Sequence, residues 1–379
     1  MYARCFKCFW LLLLIAFATN TQAQSDSVAT NTGWQKGTLE ISGYIEAYYV
    51  RDFNRPDKQE RPSFIYSHNR NNQVTVNLAY LKLNYTAPRL RANLAIMAGT
   101  YSMANLAQEP KLSKNIFEAN AGLRLLKKQQ LWLDAGIFAS HIGFESAVSK
   151  DCWNLTRSIL AENSPYYESG VKLSYTNPAG TLTAAVLLLN GWQHIQLRAA
   201  HAIPSFGWQV QGTIADKLVL NSSAFIGNDK PDSLRCMRYF HNFYAIYNPI
   251  EQLGITLGFD AGAEQQSRGS KQYNLWYSPV VIVRAVPIQK LAIAARFEYY
   301  SDAHGVLIAT NTPNGFQTFG YSLNVDVIPF KNALIRFEGR LFQSRDKVFE
   351  RTGHTPSHFN SFIGISVAYS FAHRFAKAF

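Results

Sequence analysis

The sequence predicts an all-β chain: a closed antiparallel transmembrane β-barrel of about sixteen strands. Three observations predict it. Period-2 alternation recurs in segments of roughly 10–14 residues, longer than a typical soluble strand and suited to a tilted spanning strand of about 9–11. The connections between those segments alternate short and long, as periplasmic turns and extracellular loops do. The composition is rich in Tyr (20) and Phe (25), yet charged residues make up only 16% of the chain, well below the soluble norm of about a quarter.

The first 23 residues read as a secretory signal peptide. Arg4 and Lys7 form a basic n-region, Phe9 to Ala18 an apolar h-region, and Thr21-Gln22-Ala23 a small-residue cleavage site. Cys5 and Cys8 precede the apolar run, where a lipidated cysteine would follow it. Residues 24–37 are polar and read as a flexible periplasmic lead-in. After them no window holds enough uncharged apolar residues for a spanning helix.

The strands are expected at 38–50, 74–87, 90–101, 116–127, 130–141, 166–177, 180–191, 206–215, 217–228, 237–248, 252–264, 272–285, 289–301, 316–328, 332–344 and 359–371. Pro and Asn punctuate the short turns, as in Asn177-Pro178-Ala179-Gly180 and Asn248-Pro249-Ile250-Glu251. Outward sets such as Leu253, Ile255, Leu257 and Phe259, or Ile335, Phe337 and Leu341, are apolar throughout. A soluble sandwich would show the same alternation; export, segment length and loop asymmetry decide for a barrel, which alone leaves no open edge in lipid. The barrel is placed at 38–371, in a bacterial outer membrane, with a short basic tail at 372–379. The last strand, Asn360 to Phe371, resembles the C-terminal assembly signal of outer-membrane barrels, a Gly followed by apolar and aromatic residues at every second position, although the sequence ends again in an aromatic, Phe379.

The formal charge is +12, or +10 once Arg4 and Lys7 are lost. Export and the lack of any nucleic-acid motif exclude nucleic acid, leaving lipid and lipopolysaccharide phosphates as the counter-charge for basic loops. The register sends inward Lys82, Arg91, Arg124, Lys172, Arg238, Arg284, Arg296, Arg336 and Arg340. It also sends in Glu40, Glu46, Glu118, Asp134, Glu168, Asp260, Glu264, Glu298, Asp326 and Glu338. That lumen is close to neutral, so a basic chain does not imply an anion pore.

Strand alternation fails over His141 to Tyr167, the third extracellular loop. A barrel this wide holds an aqueous channel, and no separate plug domain is present in the sequence. The loop at 142–165 is therefore expected to fold into the lumen as a constriction. Glu145, Lys150, Asp151, Trp153, Arg157 and Glu162, with Glu168 at its exit, are expected to oppose one another or the Arg336–Glu338–Arg340 face. Rings of charged side chains set selectivity in such pores. The bland alternative is a loop whose charges face water.

The segment HIGFESAVSKDCWNLTRSILAENSPYYESG resembles the β-barrel porin family described as OmpL-like. Gly-Phe-Glu-Ser, Asp-x-Trp-x-x-Thr-Arg-Ser and Glu-Asn-Ser-Pro-Tyr-Tyr carry the likeness, with Cys152 where the family pattern suggests Asn. The resemblance implies an outer-membrane porin and strengthens the constriction reading, but names no solute.

Other chemistry is weaker. Cys152 and Cys236 leave one disulfide open. His354 and His358 share a metal-like spacing, but no third ligand or helix supports it, and neither a cofactor nor a catalytic motif emerges. Tyr48, Tyr49, Trp132, Trp208, Tyr247 and Trp276 read as interfacial girdles. The function expected is a passive aqueous channel for small hydrophilic solutes or ions; the alternative is a surface-binding, adhesin-like barrel with negligible conductance. A homotrimer is expected by analogy of barrel size alone.

Overall fold

The computed structural model describes residues 37–110, 112–197 and 203–378. The expected signal peptide, His201 and all of the lead-in except Gly37 lie outside the described residues. Among those residues, the strands β1 (Gly37–Asp52), β2 (Val74–Thr86), β3 (Leu90–Ala98), β4 (Ile116–Arg124), β5 (Gln130–Ala139), β6 (Tyr167–Thr176), β7 (Leu182–Leu189) and β8 (Ser205–Ile214) form the first half of a barrel. β9 (Leu218–Asn228), β10 (Met237–Ile250), β11 (Leu253–Gln265), β12 (Tyr273–Ile288), β13 (Leu291–Asp302), β14 (Phe316–Phe330), β15 (Ala333–Ser344) and β16 (Phe359–Ala378) complete it. Every strand pairs antiparallel with its neighbours in sequence, and β16 closes the ring on β1. Sixteen strands leave no unpaired edge, which is what lipid demands.

The outer surface is apolar all round. Leu94, Leu133, Val186, Leu257, Phe259, Phe297, Phe337, Leu341 and Ile363 are all more than a third exposed, on strands spread round the barrel. A soluble protein would bury such a band. The alternate positions of the same strands, among them Asp134, Asp260, Arg296, Glu298, Arg336, Glu338 and Arg340, are buried. So the polar face is the inner one.

The turns are tighter than the sequence suggests. β10, β12 and β14 run through Pro249, Pro287 and Pro329, each at a register irregularity where the missing N–H breaks no ladder bond. β3 stops at Ala98 because Gly99 takes φ +131, and a Cβ there would stand 2.3 Å from the Asn77 carbonyl oxygen. A short helix, α1 (Thr100–Asn105), follows instead of further strand. β16 continues past the expected end at 371 to Ala378, pairing His373 with Ile41 and Ala378 with Gly37, so 372–378 extend the strand and are not a tail. The last long loop adds a hairpin, Phe349–Arg351 with Thr355–Ser357.

Candidate functional site: a loop fastened across the lumen

The segment after β5 turns inward at His141. Its Nδ1 meets Glu168 Oε2 at 2.8 Å and its Nε2 meets the Ala224 carbonyl at 2.9 Å. Both partners are acceptors, so the geometry suits the doubly protonated ring. Burial opposes that charge, but the Glu168 carboxylate and the carbonyl outweigh it and raise the imidazole above its ordinary value. Gln209 Nε2 then donates to the His141 carbonyl, and Gly143 N–H to Asn242 Oδ1.

Two loop aromatics seat on glycines of β11. A Cβ on Gly258 would lie 2.6 Å from the Phe144 ring, and one on Gly254 would lie 2.5 Å from the Trp153 indole. Phe144 and Trp153 also pack against Leu160, Val280, Ile282 and Ala294. This explains why the inner face of β12 and β13 is apolar at this level.

The loop then meets the inner wall of β13–β15. Asn154 Nδ2 donates to Ser322 Oγ, and Leu155 N–H to Asn324 Oδ1 at 2.9 Å. Thr156 is gripped from both sides: its N–H donates to Glu338 Oε2 at 2.6 Å, and its carbonyl accepts from Arg296 Nη1 at 2.7 Å. Arg340 Nη1 donates to the Thr156 hydroxyl and the Arg157 carbonyl. Ile159 N–H donates to Glu298 Oε2 at 2.6 Å. The helix α2 (Ile159–Glu162) follows, capped by Ser158, which Glu145 holds through its N–H and its hydroxyl.

Arg336 shows how fully the wall charges are engaged. Its five N–H groups reach both Asp326 oxygens, the Ser149 carbonyl and hydroxyl, and the Cys152 carbonyl. Arg296 pairs with Glu338 at 2.9 Å and Glu298 at 3.3 Å, and Arg340 with Glu298 at 2.5 Å. An unpaired buried charge costs several kcal/mol, so these groups are held by one another and by loop backbone.

That changes the expected roles. Arg336, Glu338, Arg340, Glu145, Arg157 and Glu162 are brought together, but all are buried rather than arrayed across open water. Arg157 makes its hydrogen bonds to the loop itself: it donates to the carbonyls of Ser146, Leu155 and Ala147 and pins the loop together. Glu162 accepts from Tyr66 N–H at 2.9 Å and Ser67 N–H at 3.1 Å, tying α2 to the loop 53–73. Burial pushes its carboxyl up to about 7. Of the expected charges only Lys150 and Asp151, 3.9 Å apart, stand exposed. Arg296, Glu298 and Asp326, read from sequence as wall residues only, belong to the site. Cys152 and Cys236 are free, not bridged: Cys152 Sγ is enclosed by Ser146 and Val148, and Cys236 Sγ donates to Leu234.

Sequence reasoning missed the upper lumen. Phe225, Phe240, Trp276, Tyr300, Phe316, Phe342 and Phe362 form a buried inner cluster with Tyr48, capped by Phe64, Ile308 and Phe349 from loops. Tyr48 and Trp276 are therefore lumen residues, at 2% and 1% exposure, and not girdle residues. Two-sided aromatic strands hide this, since alternation marks two faces only when they differ.

A closed sixteen-stranded barrel with an apolar outside, a charged inside and a loop fastened to its inner wall defines a porin-type outer-membrane barrel. The family model described as beta-barrel porin-2, OmpL-like, matches residues 38–371, and the chain belongs to that family. It is a multi-pass β-barrel of the outer membrane. Among solved structures it resembles an anion-selective porin from Comamonas acidovorans, with TM-score 0.59 and 8% identity over 89% of this chain and 100% of that one. The outer membrane channel DcaP of Acinetobacter baumannii matches with TM-score 0.57 and 10% identity, over 89% and 98% of the two chains. OmpT of Vibrio cholerae, expressed in the outer membrane, matches with TM-score 0.57 and 12% identity over the same shares. At these identities the likeness is one of fold. No curated protein matches the sequence significantly.

Proposed function

We propose that this porin-family barrel is a passive aqueous channel for small hydrophilic solutes or ions, with the loop 142–165 as its size filter. The grip of Glu338 and Arg296 on Thr156 carries the reading, because a loop fixed through its backbone is a rigid obstruction and not a solvated flap. Family and fold point to a non-enzymatic channel. Exposed loop cations such as Arg55, Lys58 and Arg351 suit lipopolysaccharide phosphates. A homotrimer is the proposed assembly, a trimer form being recorded for OmpT of Vibrio cholerae. Insertion would use the outer-membrane assembly machinery through the aromatic pattern of β16.

Deleting Lys150 to Glu162 tests the filter in planar bilayers. Single-channel conductance should rise; unchanged conductance overturns the constriction role. A second reading has its own support in the aromatic cluster under loop residues Phe64, Ile308 and Phe349. A mouth so filled fits a surface-binding barrel that inserts yet conducts negligibly, and absence of current from inserted protein would favour it.

A further inference from the structure

A cavity of about 610 Å³ lies beside the fastened loop, lined from several loops and from the inner wall of β10–β12. Its volume falls in the range of small-molecule sites, about 300–1,000 Å³. Its charge differs from that of the chain. Four acidic side chains line it, Glu109, Asp229, Glu264 and the Glu162 that burial pushes up to about 7, against the two cations Lys230 and Arg238, in a protein of formal charge +12.

The cations are already engaged. Arg238 donates through Nε and Nη2 to Glu264 Oε2 at 2.9 and 2.6 Å, and through Nη1 to Asp229 Oδ2 at 2.9 Å. Its guanidinium also faces the indoles of Trp192 and Trp276. Lys230 Nζ meets the other Glu264 oxygen at 3.0 Å. Among the described residues, an incoming anion would find both of these cations engaged and acidic groups in excess. Glu109 stays ionised: desolvation opposes its charge, but the His194 ring and the Ile195 N–H hold the carboxyl below its ordinary value.

Two buried polar side chains lining the cavity are incomplete. His194, 8% exposed, has no hydrogen-bond partner at Nε2, which stands 3.6 Å from Asp229 Oδ1. Asn105, also 8% exposed, has no donor at Oδ1. A buried polar group left without a partner is destabilising. For Asn105 Oδ1, an acceptor, the missing partner is a donor, as an ammonium group supplies.

We propose that this cavity is a binding site for small organic cations bearing primary ammonium groups, held by Glu109 and Asn105. The inference rests on the channel reading only in calling those ions solutes; the binding itself does not. Calorimetry on the full chain folded in detergent tests it with 1,4-diaminobutane, glutarate as an anion of matched length, and calcium chloride. Diaminobutane should bind saturably and glutarate should not. Glu109→Gln, which keeps an acceptor for Ile195 N–H, should weaken binding about tenfold, the size of one charge-assisted hydrogen bond. Lys230→Gln removes a competing cation from a half-exposed position and should strengthen it, an outcome that misfolding does not produce. No saturable diamine binding, equal binding of glutarate, binding of calcium alone, or indifference to both substitutions overturns the proposal. Diamine binding without conductance would sink the channel reading and leave the site standing; conductance without diamine binding would do the reverse.

Discussion

Thr156 donates its backbone N–H to Glu338 Oε2 at 2.6 Å across 182 residues of sequence, joining the third extracellular loop to β15. Glu338 also accepts from Arg296 at 2.9 Å, so one carboxylate holds both the loop and a wall cation. Glu338→Gln should therefore be far more damaging than its shape suggests. It leaves Arg296 and Arg340 sharing Glu298 and, for Arg296, a distant Glu145, and breaking a buried pair costs about 3–5 kcal/mol. Thr156→Ala keeps the amide and should cost about 1 kcal/mol. Heat modifiability on gels reads the difference: the folded band of the Glu338 variant should convert at a distinctly lower temperature than that of the Thr156 variant. Equal shifts would show that the carboxylate charge is not what holds the loop.

Glu162 makes the loop contact pH-sensitive. Its carboxyl is raised to about 7 from an ordinary 4.5, by desolvation first and against the Tyr66 and Ser67 amides. The folded state therefore binds this proton more tightly than the unfolded state. The stabilisation is full below about pH 4.5 and is lost as pH rises through about 7. His68, buried against Glu46 in the neighbouring loop, works the other way: its imidazole is depressed by burial, so its contribution grows as pH rises toward 6.5. His141 shares the sign of Glu162. Comparing the wild type with Glu162→Gln cancels both histidines. The difference in gel conversion temperature should slope between pH 5 and 8; a flat difference removes Glu162 as the source.

The glycines of β11 predict a steric effect. Gly254 lets the Trp153 indole approach the strand, and a side chain there meets ring atoms, not a flexible tip. Overpacking of this kind costs about 1–3 kcal/mol. Gly254→Val should expel Trp153 from the pocket formed with Val280 and Ile282 and shift its fluorescence to the red, while Gly339→Val, where nothing lies within 4 Å, should not. The same emission in both variants would mean that Trp153 is not seated on β11.

The strands were legible because lipid imposes a plain rule: apolar residues outward, at every second position. Turn prolines marked the short connections, although the ladders run two or three residues further where a bulge tolerates the missing N–H. The failure of alternation after Ala139 located the site. Its internal logic was not legible. Arg157 and Arg336 look alike as charges in a list, yet one wraps the loop's own carbonyls and the other clamps Ser149 and Cys152 to the wall. Both donate to backbone carbonyls, which no side-chain pattern announces. The aromatic upper lumen was hidden for a different reason. Trp276 alternates with outward Leu275 and Tyr277, so at that level β12 carries large apolar side chains on both faces and gives no contrast.

The cysteines give the last prediction. Spacing left a bridge open between Cys152 and Cys236, but each thiol is held in its own enclosure. Cys152 is fully enclosed by the loop, with Ser146 N–H at 3.2 Å from Sγ, and burial pushes its thiol up to about 11. A thiol so protonated and so covered is a poor nucleophile. Cys236 is 3% exposed beside the turn that ends β9. Folded protein should therefore take up no maleimide over minutes at pH 7. Denatured, unreduced protein should take up two equivalents beyond any leader cysteines. Uptake by Cys152 in the folded state would mean the loop leaves the wall on that timescale, and Glu338→Gln should then accelerate it. Absence of label even after denaturation without reductant would restore the disulfide. The two failures are separated by reductant alone.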